Sequence, residues 1–392
     1  MLTMSEVNKI KDKEQKKALN AWAKAGFIAS IIAGTGFGKS RAGVLAIDYI
    51  LKQKSRSNQK SALILVPTIQ LQKQFIEEFS KWDLDHCLDN VSVLCYQSAY
   101  KLIGHHYDIV VCDEVHLGLS PKYRKFFENN VYDSLLCMTA TLPEEEEYRD
   151  ILKDLAPIVY EINLDECVSL GIIAPYSINC IPIKLTNQEQ ADYKKANNQF
   201  IYHTYSLGQF DAFNKAKEIL GNKQSTPEDR ASAAGFYKAI RERKSIVDFA
   251  SNKILEFQRI YDENTDKKIL VFSGANDFTD TLCESIAPYA LAYHSNKTKK
   301  QKEQSLEAFK LGLVNVLCST KALNQGFDVP NANMGIICGI TSKGLTMIQR
   351  IGRLLRFEEG KSGEIIILYV KNSQEEKWLK NSVKGLDNVN WL

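Results

Sequence analysis

The chain is 392 residues long, which suits two domains of ordinary size, each with a substantial core. Its 44% hydrophobic and 25% charged residues exclude a disordered or fibrous protein, and a formal net charge of +3 excludes a strongly basic one. A transient hold on a polyanion needs only a local basic cleft, so near-neutral charge leaves nucleic-acid partners open.

No signal peptide and no apolar run long enough to span a bilayer are present in the sequence. The nine cysteines are Cys87, Cys95, Cys112, Cys137, Cys167, Cys180, Cys283, Cys318 and Cys338. No two are spaced Cys-x-x-Cys, so a zinc or iron–sulfur site is not expected. An odd count without a framework points to a reducing, cytoplasmic setting.

Residues 27–32 form a short apolar run of the kind that makes a buried strand. Residues 39–51 carry apolar side chains at helical spacing, at 44, 47, 50 and 51. Between them stands Ala33-Gly34-Thr35-Gly36-Phe37-Gly38-Lys39-Ser40. Strand, glycine-rich loop and helix let backbone N–H groups and a helix N-terminus face a phosphate chain. Gly34, Gly36 and Gly38 permit the tight curl, with Thr35 and Phe37 completing the loop. Lys39 would reach the β- and γ-phosphates of ATP, and the Ser40 hydroxyl would ligate Mg²⁺.

Residues 107–112 read as a buried parallel strand that ends in two adjacent carboxylates, Asp113 and Glu114. In a phosphate-loop enzyme the first acid holds Mg²⁺ and its waters, and the second polarises the attacking water. Strands and helices alternate through about residue 158, so 1–158 is expected to be one α/β domain. Residues 159–175 would cross to a second domain, 176–392, whose first strand is 177–183.

Alternation resumes from residue 268, through strands at 290–293, 314–317 and 334–338, with 363–369 as the closing strand. Between them, residues 187–260 form a helical insertion. Phe236, Ile240, Val247 and Ile254 keep helical spacing on one face, while Lys238, Arg241, Arg243 and Lys244 crowd the others. This segment reads either as a solvated cover of the second domain or as a brace facing a polyanion. The acidic run 144–147, the pair His105-His106 and the lysines 297, 299, 300 and 302 read as solvated surface.

In this order, the motifs resemble those of superfamily 2 helicases and translocases, and Asp113-Glu114-Val115-His116 is similar to the DExH box. Val66-Pro67-Thr68, with Leu71 and Gln74, resembles motif Ia, and Tyr96-Gln97-Ser98 sits where the family has a nucleic-acid-contacting loop. Thr139-Ala140-Thr141 resembles motif III, residues 268–274 motif IV and 317–330 motif V. Gln349, Gly352, Arg353 and Arg356 match motif VI. Gln15 stands where the family has its adenine-reading glutamine. Two departures are Gln325, where many relatives carry Glu, and Leu354 after Gly352-Arg353. The Ile-Gly-Arg-Leu-Leu-Arg block is most similar to the XPB-like and restriction-motor branches.

The resemblance implies an α/β fold of two tandem RecA-like parallel-sheet domains and an enzyme that hydrolyses ATP with Mg²⁺. It implies catalytic roles for Lys39, Asp113, Glu114, Gln349, Arg353 and Arg356, and a nucleotide contact from Asp328. His116, Thr139 and Thr141 would couple hydrolysis to the track. Thr68, Gln97, Ser98, Ser273, Gly274, Ser319 and Thr320 would hold the nucleic-acid backbone. DNA, single-stranded, duplex or branched, is the implied track; an RNA helicase or a nucleotide-switched binding module are the alternatives. The size is that of a minimal motor core of the kind phages and mobile elements encode.

Overall fold

The computed structural model describes residues 3–34, 36–53, 61–143, 145–209, 211–320, 332–341 and 362–392. Two parallel sheets organise them. The first is built from β1 (Ile28–Ala33), β2 (Ala62–Val66), β3 (Val91–Cys95), β4 (His106–Asp113), β5 (Val131–Thr139) and β6 (Ile158–Ile162). Its order is β3-β2-β4-β5-β1-β6, and every pairing is parallel. Strands covered by helices on both faces must be apolar on both sides, and β2 is buried at every position. Cysteine serves here as a small apolar residue: Cys112 on β4 lies opposite Cys137 on β5, both fully buried.

The second sheet contains β7 (Tyr176–Ile183), β8 (Ile269–Phe272), β9 (Ala290–Tyr293), β10 (Val316–Ser319), β11 (Met334–Ile337), β12 (Gly363–Val370) and β13 (Val389–Trp391). Its order is β13-β7-β12-β11-β8-β10-β9, again wholly parallel. Two tandem parallel-sheet α/β domains are therefore present, as the sequence implies.

Three details differ from the sequence expectation. Residues 158–162 are a strand of the first sheet, pairing with β1 through Tyr160 opposite Ile31, so the first sheet takes the start of the segment read as a linker. The strand at 363–369 does not close the second sheet, because β13 adds to β7 at its edge; three residues are too few to show a periodicity. The apolar line of Phe236, Ile240, Val247 and Ile254 is not one face. Its helix, Pro227–Asp248, ends at Phe249, and Ile254 belongs to the next helix, Ser251–Asp262.

That break divides the insertion. Phe236 joins Leu207, Ala212, Ala216 and Ala233 in a small core of its own, formed with the helices Asn187–Ser206 and Ala212–Gly221. Phe257, Ile260 and Tyr261 instead pack on the second sheet. Among the described residues, no helix is long and apolar enough to cross a membrane.

Parallel α/β sheets carry their ligands beyond the carboxyl ends of their strands. The motif residues follow that rule. Gly34 follows β1, Asp113 ends β4 and Thr139 ends β5, while Thr68 and Gln97 follow β2 and β3. In the second sheet Ser273 and Gly274 follow β8, and Ser319 ends β10.

Candidate functional site

The glycine-rich loop is shaped by φ angles that only glycine adopts freely. Gly36 has φ +90 and Gly38 has φ +89. Space imposes the same demand: a Cβ on Gly36 would lie 2.5 Å from Ile173 Cγ2, and one on Gly38 would overlap the Gln15 carboxamide. Gly38 caps the helix Lys39–Lys52 without a side chain, so the first-turn N–H groups are left for a ligand. Lys39 Nζ reaches back to donate to Ala33 O at 3.0 Å. The Phe37 ring is fully buried against Tyr160, with ring centroids 5.8 Å apart, so Phe37 offers a ligand only its backbone.

Gln15 is buried beneath this loop. Its Nε2 donates to Phe37 O at 2.7 Å and Gly38 O at 3.3 Å, and its Oε1 accepts from Arg41 Nη1 at 2.8 Å. The glutamine thus ties the helix Met4–Lys24 to the loop. Arg41 also pairs with Asp12 and lies over the Trp82 ring, 3.8 Å from its centroid. Beside them opens a cavity of about 660 Å³ lined by Lys9, Gln15, Gly36, Gly38, Arg41 and Trp82. Nothing in the sequence pointed to Trp82. Arg41 carried one weak signal, its place directly after Gly38-Lys39-Ser40.

Asp113 is the last residue of β4 and is 6% exposed. Burial, then the neighbouring charge of Glu114, pushes its carboxyl up to about 7, while Lys39 pulls the other way. Glu114 turns sharply out of the strand with φ +49, a left-handed backbone at a non-glycine residue. The strand end is held by Tyr96, whose hydroxyl donates to Asp113 O at 2.9 Å.

From the carboxylate a chain of contacts runs to β5. Thr139 Oγ1 lies 3.1 Å from Glu114 Oε2 and 3.1 Å from Thr141 O. His116 Nδ1 lies 3.1 Å from Thr139 Oγ1 and 3.4 Å from Glu114 Oε2. With the proton on Nδ1, His116 donates to Thr139, and the Thr139 hydroxyl donates to the carboxylate. The structure thus brings together Glu114, His116, Thr139 and the Thr141 backbone, four residues from two separate motifs.

The domain-crossing segment also meets the loop. The helix Leu164–Ser169 sets Cys167 Sγ 3.8 Å from where a Gly34 Cβ would stand. The same helix presents Asp165, which accepts from the Tyr176 hydroxyl of β7 and from Asp387 N at 3.0 Å. One turn-and-a-half of helix therefore touches the phosphate loop and the second sheet. No local pattern announces this role, because Asp165 acts through tertiary contacts.

The chain matches two family models in succession. Residues 9–144 match the type III restriction enzyme res subunit, and residues 252–358 match the helicase conserved C-terminal domain. Over 379 residues it is 26% identical to the DNA 3'-5' translocase XPB2 of Sulfurisphaera tokodaii, spanning 92% of this chain and 82% of that protein. The chain is a superfamily 2 helicase of the XPB and restriction-motor type. Its fold is similar to the Hef helicase domain of Pyrococcus furiosus, with TM-score 0.58 at 15% identity over 94% of this chain and 98% of that one. It is also similar to the DNA-bound type ISP restriction-modification enzyme LlaBIII, with TM-score 0.60 at 14% identity over 100% of this chain and 31% of that one.

The second-domain residues of this helicase divide by exposure. Ser273 is 1% exposed, and its hydroxyl bonds Ala275 O and Thr279 Oγ1. Ser319 is fully buried with its hydroxyl near Thr320 O, and Thr320 Oγ1 donates to Asn276 Oδ1 at 2.9 Å. Those three side chains turn inward and make hydrogen bonds that close the strand ends. Gly274, Thr68, Gln97 and Ser98 are open to solvent or half-open. Thr68 also caps the helix Ile69–Lys81 by accepting from Leu71 N, and Gln97 Nε2 donates to Pro67 O at 3.3 Å. Thr35, Asp328, Gln349, Arg353 and Arg356 lie outside the described residues.

Proposed function

We propose that this helicase is an ATP-driven motor that moves along, or remodels, DNA. The reading rests on one observation above others. The carboxyl ends of β1, β4 and β5 bring the phosphate-loop Lys39, the buried Asp113 and the Glu114–Thr139–His116 chain to one edge of one sheet. The relative named as a DNA translocase, matched along 92% of this chain, supports DNA as the track.

The residues present fit Mg-ATP. Burial first, and then the charge of the partly exposed Glu114, holds the Asp113 carboxyl up at about 7 against the pull of Lys39, and a divalent ion there would favour its charged form. Ser40 and Asp113 would hold Mg²⁺, which would supply positive charge to offset the growing negative charge of the transition state. Lys39 Nζ exchanges Ala33 O for phosphate oxygen. Glu114 takes the proton of the attacking water on Oε, and Thr139 with His116 keeps that carboxylate aimed. Gln349, Arg353, Arg356 and Asp328 are assigned the second-domain side of the site, on the family resemblance. Nine buried free cysteines are in keeping with a reducing cytoplasm.

The test is the ATPase rate measured in parallel with single-stranded DNA, duplex DNA, forked DNA and RNA. DNA is expected to stimulate most. Equal rates with and without nucleic acid at low salt would refute the motor, and a larger effect of RNA would replace the track.

A further inference from the structure

On the side of the first domain away from the loop, the helix Lys39–Lys52 meets the 3-10 turn Asp85–Asn90. Asp48 Oδ1 stands 2.9 Å from His86 Nε2 and 3.7 Å from Cys87 Sγ. All three donor atoms lie within 4.8 Å of one another. A tetrahedral ion with bonds of about 2.0–2.3 Å sets its ligands roughly 3.3–3.8 Å apart, so the observed spacing needs only a small adjustment. We propose that Asp48, His86 and Cys87 form a binding site for a zinc-class divalent cation, with water as the fourth ligand.

The donor set selects the class of ion. One thiolate, one imidazole and one carboxylate suit Zn²⁺, while Mg²⁺ and Ca²⁺ demand oxygen ligands. Lys52 Nζ donates to the other carboxylate oxygen, Asp48 Oδ2, at 2.8 Å. That bond fixes the carboxylate and turns Oδ1 toward His86 and Cys87, as outer hydrogen bonds do for metal ligands. Exposure also fits an open fourth position: Cys87 is 2% exposed and the Asp48 side chain 13%, whereas the His86 side chain is 53% exposed. Water therefore reaches the site from the histidine side.

Binding exchanges one proton for the metal. The Cys87 S–H bond breaks, an S–metal bond forms, and the proton leaves to solvent. Without a metal, burial and Asp48 keep the thiol protonated, with its pKa up at about 11. Asp48 lies nine residues along the helix from Lys39, about 13 Å at the helical rise, so the ion takes no part in hydrolysis. It pins the 3-10 turn, and through it β3, to the helix that carries the phosphate loop.

The test uses the full chain, stripped with a chelator and titrated with Zn²⁺ against a metal-binding dye. One ion per chain is expected. His86→Ala and Cys87→Ser should each weaken binding by about tenfold or more, since even outer-shell losses cost that much. DNA-stimulated ATPase should be unchanged in both. Replacing Zn²⁺ by Co²⁺ should give a thiolate-to-cobalt absorption band that Cys87→Ser removes. His86 is half exposed, so its variant tests the site even if Cys87→Ser unfolds. No stoichiometric Zn²⁺, or unaltered affinity in the His86→Ala chain, overturns the proposal.

Discussion

Thr139 Oγ1 lies 3.1 Å from Glu114 Oε2, although one ends β5 and the other turns out of β4. A hydrogen bond to a charged group contributes about 1.5–3 kcal/mol. Thr139→Val keeps the shape and deletes the hydroxyl, so the carboxylate loses that donor and the link from His116 through Thr139 is cut. Turnover should fall roughly tenfold to a hundredfold while nucleotide binding is kept. Glu114→Gln should stop turnover and also spare binding. Steady-state kcat beside the nucleotide Kd checks both; an unchanged kcat in Thr139→Val would show that this bond only shapes the strand ends.

Glycine is required twice over at Gly38. An alanine there would hold φ +89 and press its Cβ into the Gln15 carboxamide, which is fixed by Phe37 O, Gly38 O and Arg41. Left-handed strain alone costs roughly 1–3 kcal/mol. Gly38→Ala should therefore lower the melting temperature and weaken ATP binding together. Lys39→Ala should remove ATP binding and leave the melting temperature of the free protein nearly unmoved, because among the described residues Lys39 Nζ donates only to one backbone carbonyl, Ala33 O at 3.0 Å. Thermal unfolding with and without nucleotide separates the two.

A buried ion pair locks the second sheet. Lys253 and Glu375 are both fully buried; Lys253 Nζ donates to both Glu375 oxygens, at 2.8 and 3.0 Å, and to Cys338 O at 2.8 Å. Glu375 also accepts from Val370 N at 2.8 Å, so the pair joins the exits of β11 and β12. Removing one partner of such a pair costs about 3–5 kcal/mol, because the other is left charged and dry. Lys253→Met or Glu375→Leu alone should each destabilise by that amount, and the double variant should recover most of it. Urea unfolding of the three chains checks this, and simple additivity would refute the coupling.

The parts of this site that could be read in the sequence are those in which chemistry is local along the chain. Gly34 through Ser40 lie in one turn, and Asp113 and Glu114 end one apolar strand, so spacing alone announces them. The two parallel sheets were legible for a similar reason, as apolar runs recur between helical stretches. Contacts between distant segments were not. Gln15 meets Phe37 and Arg41 meets Trp82 only after folding. Burial was equally invisible: Ser273 and Gln97 both looked like strand-end hydrogen-bonders, yet one is sealed and the other exposed. Residues 159–162 read as linker because the sign of their role is their partner strand, β1.

That difference in burial makes a prediction about the track. A motor holds backbone phosphates with exposed polar groups, and loses grip with salt at about −0.9 in log affinity per neutralised phosphate on duplex DNA. Gln97 and Ser98 are exposed at the end of β3, beside Thr68 at the end of β2. The double change Gln97→Ala with Ser98→Ala should raise the DNA concentration needed for half-maximal ATPase several-fold, without altering the rate measured free of DNA. Ser273→Ala should do the reverse, because its hydroxyl holds Ala275 O and Thr279 inside the second domain. Melting should fall by the worth of one buried hydrogen bond, about 1 kcal/mol, with DNA dependence unmoved. ATPase titrations across a salt series, paired with melting curves, decide between the two. If Ser273→Ala weakened DNA stimulation at unchanged stability, exposure would be the wrong guide to the track.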